Sequence, residues 1–182
     1  MKLIKIIFCF LILILHLSCG KNEMTKTEIY NQKANEIIFQ TIEENKCNCI
    51  LEIPKESMIE ISNAENPSYD FKNTLKKQLN VKSDSKLDSL ISVSKDFKLD
   101  AQKIAKKKIK IISTINIVNF INGKSTEILK MCPKGIISMQ KPIFDQNYSK
   151  AVFEYNFTFT HTRELPSPVY ERKNGKWNRI KK

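Results

Sequence analysis

Arginine and histidine are nearly missing from this chain. Its 31 basic residues include three arginines, Arg163, Arg172 and Arg179, and its two histidines are His16 and His161. Scarce arginine argues against nucleic acid as a partner, because bidentate recognition of phosphate and guanine uses a planar guanidinium that an ammonium does not imitate. Scarce histidine leaves His161 as the only imidazole beyond residue 18, so a Ser–His–acid or Cys–His device would have to run through it. No G-x-S-x-G elbow supplies the serine. His161 closes an aromatic strand pattern, where a rim histidine is ordinary. The phosphate-loop look-alike Gly123-Lys124-Ser125-Thr126 lacks the glycine five positions upstream, where Val118 stands, so it reads as a turn and helix cap.

Metal and carboxylate chemistry fare little better. Cys47, Cys49, Cys132 and His161 are ligand types that suit zinc, but C-x-C is not the usual knuckle spacing. No metal or cofactor is expected. Glu43 and Glu44 are neighbours on a helical pattern and are expected to point outward. A glycosidase-like carboxylate pair leaves no local signature, so a hydrolase stays open as an alternative.

What is present begins at the N-terminus. Lys2 and Lys5 precede an apolar run over residues 6–15 that only Cys9 interrupts, and the small residue Ser18 stands before Cys19. With Lys5 and His16 inside it and Asn22 and Glu23 just after, the run falls short of the roughly 20 apolar residues needed to span a bilayer. The pattern is that of a cleaved signal over residues 1–18. It resembles a bacterial lipoprotein signal, with His16-Leu17-Ser18-Cys19 in the lipobox; the pattern prefers Leu, Val or Ile where this chain has His16. The resemblance implies that Cys19 becomes the first residue and carries a thioether-linked diacylglycerol and an N-acyl chain of the palmitate type. Two or more chains hold a protein stably on a bilayer. Gly20 supplies no inner-membrane retention signal of the Asp type, so an outer-membrane lipoprotein is expected, facing the periplasm or the cell surface.

Residues 1–18 carry two of the 31 basic residues and none of the 19 acidic ones, so the remainder is still strongly basic. That balance fits either a solvated lysine surface or an anionic envelope partner, and the joint richness in Lys, Ile and Asn is also what an AT-biased genome produces. In an oxidising compartment Cys47, Cys49 and Cys132 remain after Cys9 and Cys19 are accounted for. Cys47 and Cys49 are too close for an unstrained mutual bridge. The expected pairing is Cys132 with Cys47 or Cys49, closing a long loop; the alternative is three buried thiols.

Residues 19–26 read as a tether and residues 27–182 as a single α+β domain. A first helix is expected from an N-cap at Thr27, with Ile29, Tyr30, Ala34, Ile37, Ile38, Thr41 and Ile42 as its apolar stripe and Asn45-Lys46 as its end. A short strand over residues 49–53 stops at Pro54, and residues 62–70 read as a loop. A second helix opens near Asp70 with Phe71, Leu75 and Leu79 inward; a third follows a cap at residues 83–85 with Leu87, Leu90 and Ile91 inward. Residues 106–112 alternate as a strand, and Ser125 caps a short helix that runs to Met131 and is closed by Pro133 and Gly135.

In the last third, residues 151–161 alternate, with Phe153, Tyr155, Phe157 and Phe159 on one face and Glu154, Asn156, Thr158 and Thr160 on the other. This predicts one half-buried antiparallel strand paired with residues 136–144. Segments 169–172 and 177–180 flank Lys173-Asn174-Gly175, a tight hairpin signal. The expected architecture is helices first, then a four-stranded antiparallel meander.

Residues 109–182 are similar to the end of an uncharacterised family of small bacterial secreted proteins and lipoproteins. The motifs are Ile136-Ile137-Ser138, Lys141-Pro142-Ile143-Phe144, Ala151-Val152-Phe153 and Lys173-Asn174-Gly175-Lys176-Trp177. Many relatives have a Cys-Gly pair after the long strand, where this chain has Thr160-His161-Thr162. The resemblance implies a shared sheet and carries no catalytic residue across. The expected function is a non-enzymatic, lipid-anchored binding module for an envelope protein or anionic polymer. A carboxylate-based envelope hydrolase and an immunity-type lipoprotein that binds a toxin are the alternatives.

Overall fold

A computed structural model describes residues 23–113, 130–157 and 164–181. The signal segment with Cys19, the turn at residues 123–126, Phe159 and His161 lie outside the described residues.

The first helix, α1 (Lys26–Glu44), starts two positions before the sequence expectation. Thr25 and Glu28 form a capping box: Glu28 N–H donates to Thr25 Oγ1 at 3.2 Å, and Thr25 N–H donates to the Glu28 carboxylate at 2.7 Å. Those bonds hold the Glu28 carboxyl below its ordinary range. The stripe is buried from Tyr30 to Ile42, except that Ile29 is only half-buried. Strand β1 (Cys49–Leu51) follows, and then a helix where a loop was expected, α2 (Met58–Glu65). The reason is a second capping box, Ser57 with Glu60, which starts a helix that runs into the Ser62–Glu65 stretch. Asp70 and Ser83 cap α3 (Phe71–Leu79) and α4 (Asp84–Lys95) as expected, with Leu90 only half-buried. Asp100 then caps α5 (Ala101–Lys106), which shortens the predicted strand to β2 (Lys110–Ile112). Of the short helix expected after Ser125, Lys130 and Met131 fall among the described residues and are helical.

The strands of the last third are β3 (Ile137–Met139), β4 (Ile143–Phe144), β5 (Lys150–Val152), β6 (Tyr155–Phe157), β7 (Val169–Lys173) and β8 (Lys176–Arg179). They belong to two sheets, so the fold is α+β. One sheet runs β2-β1-β3-β6, with β1 parallel to both β2 and β3 and with β3 antiparallel to β6. The other is the expected antiparallel meander, β4-β5-β7-β8. At its hairpin, Asn174 and Gly175 both take positive φ, 51° and 78°, as a tight two-residue turn requires.

The two long strands expected over residues 136–144 and 151–161 do pair, but each is broken in the same place. Register runs Ile143↔Val152 and Phe144↔Ala151 on one side and Met139↔Tyr155 on the other. Gln140, Lys141 and Pro142 therefore oppose only Phe153 and Glu154, while Gln140 N–H still donates to Glu154 O at 3.1 Å. This is a bulge with one extra residue on the first strand, and Pro142, with no N–H to offer a ladder, suits it. The ribbon bends there and passes from one sheet to the other. The bend also overturns the predicted faces: Glu154 is buried and Phe157 is 37% exposed.

Both faces of the meander are covered where β4 and β5 pair. Phe144, Ala151, Tyr170 and Trp177 join Tyr30, Ala34 and Ile37 of α1 in one core; Ile143 and Val152 join Phe71, Leu75 and Leu87 of α3 and α4 in another. Side-chain amides finish the seams. Gln40 accepts from Trp177 N–H at 2.8 Å and donates to Trp177 O at 2.6 Å, extending the ladder of β8 onto α1. No helix among the described residues is long and apolar enough to cross a membrane.

Buried phenols give this core an alkaline limit. Burial pushes the Tyr170 hydroxyl up to about 12, with Tyr155 adding to it, and burial also raises Tyr30, whose hydroxyl donates to Pro142 O at 2.8 Å. A raised phenol stabilises the fold below the unfolded value near 10, and that contribution is lost as pH climbs from about 10 towards 12. Urea midpoints should therefore fall across this window, Tyr170 alone withdrawing about 2–3 kcal/mol. Tyr170→Phe should flatten the decline; an equally steep decline in that variant would assign it elsewhere.

Candidate functional site

The sequence placed its chemistry on cysteines, lysines and glutamates, and the fold sorts the three. Cys49 of β1 is bridged to Cys132, 83 residues on, and both are buried. Cys47 is the free cysteine among the described residues. Its Sγ lies 3.0 Å from Gly135 O and 3.2 Å from Cys49 O, inside the turn that the bridge fastens. Two of the four residues considered as zinc ligands are thus bonded to each other, and no metal-binding cluster of three acidic, histidine or cysteine residues occurs among the described residues.

Beside the bridge, the parallel strands draw lysines together. β1, β2 and β3 run parallel, so their entry ends lie on one side of the sheet. Lys46 precedes β1, Lys108 and Lys110 open β2, and Lys130 and Lys134 flank Cys132 ahead of β3; all are exposed. Specific contacts tie these segments to one another. Lys110 N–H donates to Asn48 O at 2.8 Å, and Lys110 Nζ donates to Met131 O at 3.1 Å. Among the described residues, acids at this end are Glu43, paired with Lys107 at 2.7 Å, and Glu44, which accepts from Gln40. An exposed pair of that kind adds little stability.

Two of these lysines carry an unusual backbone. Lys46 and Lys108 have φ of 52°, in the left-handed region. Each follows a helix in the same closing motif: Cys47 N–H donates to Ile42 O and Lys46 N–H to Glu43 O, and likewise Ile109 to Ile104 and Lys108 to Ala105. Glycine or asparagine is the usual residue at that position, and Asn80 fills it after α3. The ammonium groups at α1 and α5 do complement the negative end of each helix dipole.

The glutamates lie at the far end of β1. Leu51, Ile53, Pro54, Ile61 and Ala64 wall a cleft of about 610 Å³ whose rim carries Glu52, Glu56, Glu60 and Glu65. Glu60 is held below its ordinary value by its capping bonds to Ser57. It is thus an ionised structural group and a poor proton donor. Behind the cleft, the bulge residue Lys141 is 4% exposed, donates from Nζ to Lys55 O, and is pushed down by burial while Glu60 and Glu56 pull it up. Glu43 and Glu44, the pair weighed from the sequence, are exposed on α1 and do not line this cleft.

No family model, no curated protein and no solved structure matches this chain. Sequence reasoning missed both the lysine gathering and the cleft. The lysines are scattered through residues 46–134, and only the parallel pairing brings them together. The Ser57–Glu60 box was the available signal for the cleft wall.

Proposed function

We propose that this chain is a lipid-anchored envelope protein that presents a non-enzymatic binding domain and engages an anionic partner through the basic end of its first sheet. The observation that carries the reading is the gathering of exposed lysines at the entry ends of β1, β2 and β3. The address comes from His16-Leu17-Ser18-Cys19 behind an apolar run too short to span a bilayer. The rival hydrolase needs a protonated carboxyl in the cleft, and Glu60 is biased the other way.

Protease shaving of intact and lysed cells, with membrane fractionation of wild type and Cys19→Ala, tests the reading. Cys19→Ala should leave the membrane fraction. Unchanged membrane association in that variant would overturn it. Digestion of wild type in intact cells would put the partner outside the cell; protection until lysis would put it in the periplasm.

A further inference from the structure

The basic end has a geometry that goes beyond net charge. The strand order β2-β1-β3 sets its lysine-bearing entries side by side, and neighbouring strands are spaced about 4.8 Å apart. Lys108 and Lys110, then Lys46, then Lys134 therefore form a short row of cations. Lysine is a point charge on a long stem, suited to successive separated anions more than to bidentate capture of one phosphate. Two positions in the row are held in left-handed backbone, where a side chain is disfavoured and glycine is not. The cost of that backbone outweighs the gain from complementing the helix dipole, so stability alone does not select lysine there.

The direction of the row matters as well. α1 has 19 residues and so rises about 28 Å. Its first turn is the end nearer Cys19 in the chain, and Lys46 stands two residues past its last residue, Glu44. An anchor at Cys19 thus joins the domain at the opposite end of α1 from the basic row. Among the described residues, Met131 and Ile111 are exposed beside the lysines, at 41% and 50%, and two such residues fall short of the continuous apolar face that a membrane-surface contact buries.

We infer that this row binds a linear polyanion of the envelope, a polymer bearing carboxylate or phosphate groups at intervals, laid across the three strand entries. The inference rests on the binding-module reading above and names its ligand class. Detergent-solubilised full-length protein would be titrated into labelled linear polyglutamate, linear polyphosphate and, separately, vesicles containing an anionic phospholipid. The row variant is Lys46→Gly with Lys108→Gly and Lys134→Gln. Its control is Lys82→Gln with Lys86→Gln, at the start of α4.

Binding to at least one polymer should weaken steeply with added salt. It should fall at least tenfold in the row variant and stay within about twofold of wild type in the control. Each glycine substitution should meanwhile raise the melting temperature by about 2–4 °C, so that the loss cannot come from unfolding. Equal loss in the control, tighter binding to vesicles than to polymers, or no polymer binding at all would each overturn the inference. Such a failure leaves the anchor reading standing, because that reading is decided by where Cys19→Ala fractionates.

Discussion

Phe153→Ala should lower the unfolding free energy by about 3–5 kcal/mol, the cost of emptying a large buried aromatic site that its surroundings cannot refill. The ring is fully buried at the bend of the ribbon. Its centroid lies 5.9 Å from Tyr170 in an edge-on arrangement and 6.1 Å from Tyr155. Those neighbours come from different sheets, β7 and β6, so the one ring fills the seam between them. Its backbone also takes part, since Phe153 N–H donates to Pro168 O at 3.2 Å. Phe157 has the same parity and was predicted for the same face, yet it is 37% exposed, and its truncation should cost much less. Urea denaturation of the two variants measures the contrast. A loss below about 1 kcal/mol at Phe153 would mean that the seam closes without it.

Loss of the Cys49–Cys132 bridge should be nearly as costly. The cysteines are 83 residues apart, and in the chain-entropy picture a loop of that length restricts the unfolded chain by about 4–5 kcal/mol. Cys49→Ala with Cys132→Ala, or wild type under strong reductant, should unfold at a urea midpoint about 2 M lower. Cys47→Ala is the comparison: it removes one buried thiol and leaves the bridge, and should cost about 1 kcal/mol. If reductant moves the double variant as much as wild type, the stabilisation comes from somewhere other than this bridge.

Much of the fold was readable because local rules and tertiary demands agreed. Asp70 and Ser83 cap helices whose Phe71, Leu75, Leu79, Leu87 and Ile91 face the core, and Asn174-Gly175 turns the hairpin it announces. Where they disagreed, the reading slipped. Residues 151–157 alternate as one strand, but Pro142 on the facing strand forces an extra residue into the pairing, and the partner must bend with it. A strand read alone cannot show what its neighbour will do. The helix at Met58–Glu65 was missed for a different reason: only Met58 and Ser62 of its eight residues are buried, so its apolar pattern was faint. The candidate site was the least legible part. Lys46, Lys108 and Lys134 share no sequence motif, and only the parallel register of β1, β2 and β3 makes them neighbours.

The bent ribbon ties the fates of the two sheets. β3 and β4 are consecutive stretches of one strand, and β6 and β5 are consecutive stretches of the other. Peeling β5 from β4 loosens the same hairpin that pairs β6 with β3, so a local opening on either side propagates across the bulge. The protected amides of the two sheets consequently belong to a single cooperative unit, opening together as one foldon.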